Sequence, residues 1–308
     1  MSKVLVTGGC GFIGSHIVDE LLLNNYEVVI VDNLSSGNKK NINLEMVDYH
    51  ECDINSLEFH NLIDKSKPDF IIHHAAQVSV AESVKNMMKD MEINIKGSLN
   101  VMQAAIRNKV SKIVFASSAA VYGEPRYLPI DTNHDTHPLS PYGVSKLTVE
   151  KYLQLAKQLY GIDYTILRYS NVYGPRQDTK GEGGVISIFI EKLVKGEKPV
   201  IFGDGEQTRD FVFVKDVAKA NVSALKYGNG ETLNVSSNNN ISIKDLIAVM
   251  DETFQFSIFP IFMNERDGEI KHSWLCNERT KEILGVKFES ELKHGLIETF
   301  EYRQSRDI

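Results

Sequence analysis

The sequence predicts an α/β fold in which a doubly wound parallel sheet is joined to a smaller mixed α/β lobe. Short apolar runs alternate with helical patterns through the first half of the chain, an order typical of parallel sheets with helical crossovers. With 308 residues, the chain is also long enough to bury a core in each of two lobes. We expect residues 1–171 to form the larger lobe and residues 172–308 the smaller one, with returns to the first lobe near residues 211–235.

The composition excludes several classes of partner. A net charge of −7 predicts a surface that repels nucleic acid and anionic membranes, and no apolar run approaches the ~20 residues of a membrane span. The three cysteines, Cys10, Cys52 and Cys276, have neither metal-ligand spacing nor that of a disulfide framework, so we expect no metal site. Because glycine follows the start too soon for a signal peptide, we expect a cytoplasmic protein.

The first apolar run, residues 3–7, ends at glycines whose spacing is typical of a nucleotide-binding turn. An apolar helical pattern follows at once. Glycine lets the backbone approach a pyrophosphate closely, and the start of the helix offers free N–H groups and a positive dipole end. A turn whose glycines serve only backbone geometry is the alternative interpretation. The residues of this predicted cofactor turn are Gly8, Gly9, Gly11, Phe12, Ile13 and Gly14.

The second strand pattern, residues 27–31, ends in an acid. The carboxylate of Asp32 is placed to accept hydrogen bonds from ribose hydroxyls, and it would repel a 2′-phosphate. The sequence therefore predicts NAD as the cofactor in preference to NADP. Lys39 and Lys40 lie nearby in the sequence and leave NADP open as the alternative.

Three later strand patterns also end in polar or small residues. Because the carboxyl ends of parallel strands meet at one edge of a sheet, these ends should share one ligand site with the glycine turn. Asp53 is a candidate acceptor for an adenine amino group, and a cofactor can lie against the small residues that follow His73 and His74. The two histidines themselves are interpreted as packing residues. The strand ends in question are Asp53 and Ile54, then Ala75, Ala76 and Gln77, and finally Ser117 and Ser118.

Tyr142 and Lys146 form the only Tyr-x-x-x-Lys in the sequence. On a helix this spacing places both side chains on one face, where an ammonium favours the phenolate form of a neighbouring tyrosine. The pair alone is equally compatible with a solvated helix face. With Ser118 as a partner, however, a substrate hydroxyl could lose its proton to Tyr142 while its carbon gives hydride to NAD, and Lys146 would hold the nicotinamide ribose.

Together these motifs resemble the extended short-chain dehydrogenase/reductase family, and within it the UDP-glucose 4-epimerases in their compact archaeal and bacterial form. The resemblance runs nearly from end to end of the chain. It implies a Rossmann-type NAD-binding lobe and a substrate lobe for a UDP-sugar. The matching segments are residues 7–15, 32–37, 117–123, 142–146, 168–177, 201–205 and 208–212.

Several residue roles follow from this resemblance. It implies that Asn33, Ser35, Ser36, Gly37, Asn94, Lys146 and Tyr169 belong to the cofactor site. It also implies that Asn171, Arg209 and Arg266 hold the substrate diphosphate, that Gly184, Val185, Ile201 and Phe202 frame the uracil, and that Glu269 binds the ribose. For Phe202, packing in the core is as good an interpretation as stacking. For the two arginines, the alternative is a surface salt bridge.

The resemblance also implies an isomerase mechanism. Tyr142 would take the proton of the sugar 4-hydroxyl as hydride passes to NAD, the 4-keto sugar would turn within the pocket, and hydride would return to its other face. By the same resemblance, helices near residues 94–108 and 142–160 would pair with those of a second copy in a four-helix homodimer interface.

Neighbouring activities in the family leave alternatives. Sugar-nucleotide 4,6-dehydratases carry an Asp-Glu pair where this chain has Ala119 and Ala120, so elimination would lack its acid and base. A UDP-glucuronate decarboxylase or 4-epimerase stays open, because Arg126 and Arg176 are candidate ligands for a sugar carboxylate. A nucleotide-binding protein without catalysis is a further alternative, which the retention of all three catalytic residues disfavours.

One position bears on the choice of sugar. Ser273 occupies the place where larger enzymes restricted to glucose and galactose carry a bulky tyrosine. A small serine leaves room for a 2-acetamido group, so the sequence predicts that UDP-GlcNAc and UDP-GalNAc are interconverted as well. The neighbouring Trp274 could fill the same space.

Overall fold

The computed structural model describes residues 1–179, 183–265 and 270–306. The strands of these ranges are β1 Lys3–Thr7, β2 Glu27–Asp32, β3 Asp48–Glu51, β4 Phe70–His73, β5 Lys112–Ser118, β6 Asp163–Tyr169, β7 Asn171–Tyr173, β8 Val200–Phe202, β9 Thr208–Arg209, β10 Phe211–Phe213, β11 Glu231–Val235, β12 Ile241–Ser242, β13 Ile261–Met263 and β14 His272–Ser273.

The helices flank and connect these strands. They are α1 Phe12–Leu23, α2 Leu57–Ser66, α3 Val80–Lys85, α4 Met87–Asp90, α5 Gly97–Arg107, α6 Pro141–Tyr160, α7 Val185–Val194, α8 Val214–Ala224, α9 Ile243–Phe254, α10 Glu278–Leu284 and α11 Leu292–Gln304. A π-helical stretch, Met91–Lys96, joins α4 to α5. Within the described ranges, no helix is both long enough and apolar enough to cross a bilayer.

Seven parallel strands form the central sheet, in the order β11-β6-β5-β4-β1-β2-β3, and this confirms the predicted fold class. The register aligns the carboxyl ends. Thr7 at the end of β1 pairs with Val31 and His73, and His73 pairs in turn with Phe115. The loops that follow β1, β2, β4 and β5 therefore open onto one edge of the sheet, where ligands of such sheets bind.

Helices cover both faces of the sheet, as expected for strands that are buried on two sides. On one face, Val18 and Leu21 of α1 share a core with Val217 of α8. On the other, Phe59 of α2 and Val149 of α6 share a second core with α5. Burying each of these side chains contributes about 2 kcal/mol before entropy is counted, so the sheet is stabilised from both sides.

The second half of the chain builds a smaller lobe from short strands. β10 pairs with β7, β9 lies between β12 and β14, and β13 pairs with β8. Phe189 of α7, Leu246 of α9 and Leu296 of α11 form the core of this lobe. β11 returns to the large sheet beside β6, whereas residues 211–213 pair with β7 in a sheet of their own. The division at residue 171 stays a prediction.

Candidate active site

Tyr142 lies in the first turn of α6, and the local sequence explains why the helix begins there. Ser140 is the N-cap, and its hydroxyl accepts a hydrogen bond from the N–H of Gly143 at 3.1 Å. Pro141 occupies the first helical position, where its missing N–H costs nothing. The cap fixes where the helix starts, and it therefore fixes where Tyr142 and Lys146 face.

Tyr142 and Lys146 are both buried, with 9% and 4% of their surfaces exposed, so the solvated-face interpretation is wrong. The ammonium of Lys146 donates a hydrogen bond to the carbonyl of Ala116 at 2.8 Å. It lies 5.8 Å from the ring centroid of Tyr142 and 5.0 Å from that of Phe115. The cation is therefore held between the end of β5 and the phenol.

Ser118 is the last residue of β5, on the strand to which Lys146 is bound. Its hydroxyl accepts a hydrogen bond from the N–H of Ala120 at 3.1 Å, which orients the oxygen. A Cβ at Gly143 would lie 2.5 Å from the carbonyl of Ala120. Only glycine at that position lets α6 approach the turn after Ser118 this closely.

The glycine turn between β1 and α1 is packed too closely for side chains at its glycines. Gly8 has φ +72°, and a Cβ at Gly14 would lie 2.1 Å from the carbonyl oxygen of Gly8. Gly11 caps α1 without a side-chain hydrogen bond. Bare backbone at a helix N-terminus suits a pyrophosphate, and the turn therefore fits a dinucleotide.

Asp32 ties this turn to the loop after β2. Its carboxylate accepts hydrogen bonds from the N–H of Cys10 at 2.9 Å and from that of Leu34 at 2.8 Å. Burial raises the pKa of Asp32, and the two N–H donors act in the opposite direction. A Cβ at Gly37 would lie 2.9 Å from both carboxylate oxygens. Each oxygen keeps a second lone pair, so the carboxylate of Asp32 can still accept hydrogen bonds from ribose hydroxyls.

The other residues predicted for the adenosine end differ in exposure. The side-chain amide of Asn33 donates to the carboxylate of Asp53 at 2.8 Å, and both side chains are exposed. Ser35 and Ser36 are exposed as well. Ile54 is buried in the core beneath α2 and α5. The structure thus places Asn33 and Asp53 together, at the ends of adjacent segments.

Asn94 connects the loop after β4 to α6. Its side chain accepts from the N–H of Gln77 and donates to the carbonyl of the same residue, both at 2.8 Å. It also donates to Asp90 at 3.0 Å and to the hydroxyl of Ser145 at 3.2 Å. This buried amide positions the backbone of residues 75–77, against which the cofactor is predicted to lie.

The hydroxyl of Tyr169, at the end of β6, contacts a cluster of polar side chains that the sequence did not reveal. Its hydroxyl lies 3.0 Å from Oδ1 of Asn221 and 3.1 Å from Nε2 of His74. Burial raises the pKa of Tyr169. His73 bridges Thr7 and Ser98, so both histidines pack between strand ends as interpreted. Asn221 carried no signal, because it lies inside the helical pattern of α8.

Asp210 is the residue that sequence reasoning missed in the substrate lobe. Its buried carboxylate accepts hydrogen bonds from the N–H of Ser237 at 2.9 Å, from that of Leu275 at 3.2 Å and from the hydroxyl of Ser170 at 3.3 Å. Its carbonyl accepts from the N–H of Asn171 at 3.0 Å. A lone acid before the apolar residues of β10 was the signal that could have revealed it.

Asp210 brings together the segments predicted to bind the substrate. Arg209 and Ser273 are paired residues of β9 and β14. The guanidinium of Arg209 donates to the carbonyls of Thr208 and Lys271 at 2.8 and 3.2 Å. The side chain of Asn171 is exposed at the start of β7. The diphosphate residues predicted in the described chain therefore flank one buried carboxylate.

The predicted uracil residues lie on two elements of the same lobe. Gly184 is the N-cap of α7, and Val185 is its first residue. Ile201 is buried in the core of the lobe, whereas Phe202 is half-buried at the end of β8. Arg266 and Glu269 lie outside the described residues, so their predicted roles rest on sequence.

The two arginines left open as ligands of a sugar carboxylate are engaged in ion pairs. Arg126 pairs with Asp135, and both side chains are more than half exposed. Arg176 pairs with Asp19 on α1 at 2.8 Å. In the ranges that the structure describes, no group of three or more His, Cys, Asp and Glu side chains is arranged to hold a metal ion.

Comparisons with known proteins match these features. A sequence model of the NAD dependent epimerase/dehydratase family matches residues 4–236. A protein of Methanocaldococcus jannaschii is 49% identical over 294 residues, which are 95% of each chain. The crystal structure of UDP-glucose 4-epimerase from Thermotoga maritima with UDP-glucose is 40% identical, covers 99% of this chain and 100% of its own, and superposes with a TM-score of 0.96.

A second solved structure bears on the sugar. UDP-N-acetylglucosamine 4-epimerase from Methanobrevibacter ruminantium M1, in complex with UDP-N-acetylmuramic acid, is 37% identical to this chain. The match covers 99% of both chains with a TM-score of 0.94. The present chain is therefore similar over its full described length to proteins named for two different sugars.

Proposed function

Because the chain belongs to the NAD-dependent epimerase/dehydratase family, we propose that it interconverts UDP-glucose and UDP-galactose by transient oxidation at sugar C4, as in galactose metabolism. The observation that carries this proposal is the burial of Tyr142 and Lys146 next to Ser118, at the sheet edge where the glycine turn also ends. A phenol, an ammonium and a hydroxyl at a dinucleotide site are suited to reversible proton transfer.

Three side chains have different roles in the oxidation at sugar C4. Ser118 and Tyr142 hold the 4-hydroxyl, and Tyr142 takes its proton as the sugar is oxidised. Lys146, fixed by the carbonyl of Ala116, stabilises the negative charge that Tyr142 carries when it acts as a base. When bound, NAD would supply the hydride acceptor for the oxidation at sugar C4 and the hydride donor for the reduction on the other face. Tyr142 then gives the proton back to the inverted oxygen.

The substrate lobe anchors the nucleotide while the sugar turns. In this proposal Arg209, Asn171 and Arg266 hold the diphosphate, and Glu269 binds the ribose. Guanidinium groups bind diphosphate with charge-assisted hydrogen bonds, and a chain of net charge −7 has to provide this positive charge locally. Binding energy from the uridine diphosphate is thus available while the sugar stays free to rotate.

We also propose that UDP-GlcNAc and UDP-GalNAc are substrates. Ser273 is half-buried on β14 and is paired with Arg209, one of the residues proposed to hold the diphosphate. Its side chain is small enough to leave room for an acetamido group. The structural similarity to the N-acetylglucosamine enzyme of Methanobrevibacter ruminantium M1 supports the same proposal.

The proposed assembly is a homodimer through a four-helix bundle of α6 and the helical stretch that begins with α4. α6 exposes large apolar side chains along one face, and further ones lie at the start of α4. Replacing Leu155 and Leu159 by Glu should give monomers in sedimentation experiments, whereas the exposed control Leu23→Glu should stay dimeric. The exposed apolar residues are Met87, Met88, Val144, Tyr152, Leu155, Leu159 and Tyr160.

A cytoplasmic location belongs to the same proposal. The three cysteines are free thiols in the structure, and Cys10 and Cys52 are buried. Free thiols are stable in a reducing compartment. Fractionation of cells that express the chain at its natural level would test the location directly.

One purified preparation tests the activity. The dinucleotide released on denaturation should be NAD, and UDP-glucose, UDP-galactose and their N-acetyl forms should each be epimerised. UDP-glucuronate, tested beside them, should be inert because Arg126 and Arg176 are held in ion pairs. Turnover of UDP-glucuronate alone would replace the proposal with the uronate alternative. Turnover of UDP-galactose without UDP-GalNAc would remove the N-acetyl substrates.

Tyr142→Phe tests the mechanism. The variant should lose on the order of 10³-fold or more in kcat because it lacks the acid–base group, while NAD stays bound. Tyr227→Phe changes an exposed tyrosine outside the site and the proposed dimer interface; it is the matched control and should keep full activity. Unchanged turnover in Tyr142→Phe would remove Tyr142 from the mechanism.

A further inference from the structure

Behind the catalytic pair, α6 carries a fully buried carboxylate that the mechanism above does not use. Glu150 lies one helical turn beyond Lys146 on the same face, with 0% of its surface exposed. Arg168 of β6 binds it in a two-point ion pair, from Nε to Oε1 at 2.9 Å and from Nη2 to Oε2 at 2.6 Å. No water is needed to satisfy either charge.

The same carboxylate is also bound to the strand that carries Ser118. The hydroxyl of Ser117 donates to Oε1 of Glu150 at 2.5 Å. Ser117 and Arg168 are paired residues of β5 and β6, and the next pair along the same two strands is Ser118 and Tyr169. Glu150 thus contacts the two residues that immediately precede two predicted site residues.

A chain of polar contacts continues from Arg168 toward the segment that contains Cys276. The guanidinium of Arg168 lies 4.8 Å from the ring centroid of Tyr122, whose hydroxyl donates to Asn234 at 2.6 Å. Asn234 donates in turn to the carbonyls of Ile130 and Cys276, at 3.0 and 3.2 Å. Cys276 lies three residues after Ser273, so the chain reaches from α6 to the segment that carries this residue.

Stability alone does not account for such a pair. Replacing a buried ion pair by apolar side chains of similar volume is often neutral or stabilising, because taking two charges out of water is expensive. What the pair does provide is geometry. A two-point fork fixes the distance and the rotation between α6 and β6, and the hydroxyl of Ser117 fixes the same helix to β5.

We propose that Glu150, with Arg168 and Ser117, is a positioning group that sets the distance between Tyr142 and Ser118. Lys146 binds α6 to β5 at the carbonyl of Ala116, and Glu150 binds it one turn further along. The second attachment prevents α6 from rotating about the contact between Lys146 and Ala116. Because misplacement by about 1 Å can cost about 10²-fold in rate, this register matters for proton transfer more than for substrate binding.

The inference rests on the proposed epimerase activity, and a double variant separates geometry from stability. Glu150→Leu with Arg168→Met removes both charges and leaves none unpaired. We expect it to melt within a few degrees of the parent and to keep its NAD, while kcat for UDP-galactose falls about 10²-fold and KM changes less than about twofold. A kcat equal to that of the parent in this folded variant would overturn the proposal.

Ser117→Ala is the second arm, and it decides the question if the double variant does not fold. It removes one hydroxyl and leaves the ion pair intact, so we expect normal folding and bound NAD. The kcat should fall about tenfold, which corresponds to the free energy of one hydrogen bond. A parental kcat would overturn the proposal here too.

The control for Ser117→Ala is Thr165→Val, which removes a buried hydroxyl that donates to Gly228 near the other end of β6 and should leave kcat unchanged. A loss of kcat in the control equal to that in Ser117→Ala would assign the effect to general loosening of the strands. A parent that turns over none of the UDP-hexoses would overturn the proposed function, and the positioning role with it.

Discussion

The cofactor end of this molecule is built on long strands, whereas the substrate end is built on short ones. β1, β2, β4, β5 and β6 have four to seven residues each and lie in one parallel sheet. β7, β9, β10, β12 and β14 have two or three residues and belong to separate small sheets. Long strands place site residues by local pattern, while short strands depend on contacts between distant segments.

The two ends also differ in what they bury to make those contacts. Around the sheet, the buried rings of His16 and His73 and the half-buried ring of His74 are neutral. In the substrate lobe, a single carboxylate, Asp210, receives hydrogen bonds from three segments. A neutral ring and a buried acid respond in opposite directions to pH, so the sign of a pH effect distinguishes the three rings of the cofactor end from the buried acids Asp32 and Asp210.

Acid should cause the largest effect, and it should act through the cofactor end. Burial lowers the pKa of His16 and of His74 to about 4, and that of His73 to about 3, from the ordinary 6.5. Each ring stabilises the folded state fully above pH 6.5, and this stabilisation is lost as the pH falls toward 4. At 1.36 kcal/mol per pKa unit, each histidine contributes about 3 kcal/mol or more. Urea unfolding at pH 7.5, 6 and 5 should show a steep decline.

Histidine variants assign that decline. His74→Gln keeps a hydrogen-bonding side chain and should make the stability less dependent on pH between 7 and 5. The control His294→Gln changes an exposed histidine on α11 and should leave the pH dependence as it is. Asp32 and Asp210 change the stability in the opposite direction. Because burial raises their pKa, their contribution to stability is lost as the pH rises. A stability that is flat from pH 7 to 5 would contradict the assignment to the rings.

The glycine turn should give the next largest effect. In Gly14→Ala, the new Cβ would lie 2.1 Å from the carbonyl oxygen of Gly8, so the backbone has to move. Overpacking of this kind costs about 3 kcal/mol, and we expect NAD affinity to fall about 10²-fold. The dinucleotide content of the purified variant and titration with NAD measure the change.

Gly161→Ala is the control for the loss of a glycine as such. Gly161 has φ +73° at the end of α6, and no atom lies within 4 Å of the position of its Cβ. The variant should lose about 1 kcal/mol of stability from the left-handed backbone and keep its NAD. Equal NAD loss in both variants would mean that crowding at Gly8 is not the cause.

The cofactor end was predictable because each of its signals is local in the sequence. Glycines after β1, the acid at the end of β2 and the serines at the end of β5 are all read directly from strand ends. The contact between Glu150 and Arg168 was not predictable, since the two residues lie on different elements and each pattern alone is ordinary. The sequence pattern predicts where a helix or strand lies, but it does not specify which buried charged side chains contact each other.

At the substrate end, Asp210→Asn should have a smaller effect than the glycine variant. The carboxamide has one oxygen where the carboxylate has two, so one of the N–H groups of Ser237 and Leu275 would lose its acceptor. An unsatisfied buried donor costs about 2 kcal/mol. We expect a lower melting temperature and a KM for UDP-galactose raised about tenfold, with NAD affinity unchanged.

Asp204→Asn is the matched control for that substitution. Asp204 lies in the same loop region, is exposed, and accepts a hydrogen bond from the N–H of Glu206. This variant should behave as the parent in melting and in kinetics. If Asp210→Asn weakened NAD as much as the substrate, the two ends would be coupled and the comparison between them would have to be abandoned.

The substrate end was predictable only through resemblance to a family. Arg209, Asn171 and Ser273 lie far apart in the sequence, and their strands are too short to carry a pattern of their own. The pairing of Ser273 with Arg209 depends on three strands with two residues each. Such strands are stabilised by the contacts around them, so the sequence near Ser273 does not reveal its surroundings.

Ser273→Tyr should produce the smallest change, and it is one of selectivity. A ring at this half-buried position would fill the space proposed for the acetamido group, so the kcat/KM for UDP-GalNAc relative to UDP-galactose should fall about tenfold. His272→Tyr places the same phenol on the exposed neighbour, which faces the other side of β14, and should leave the ratio unchanged. If both variants kept the parental ratio, the choice of sugar would lie with other residues, and Trp274 would be the next to change.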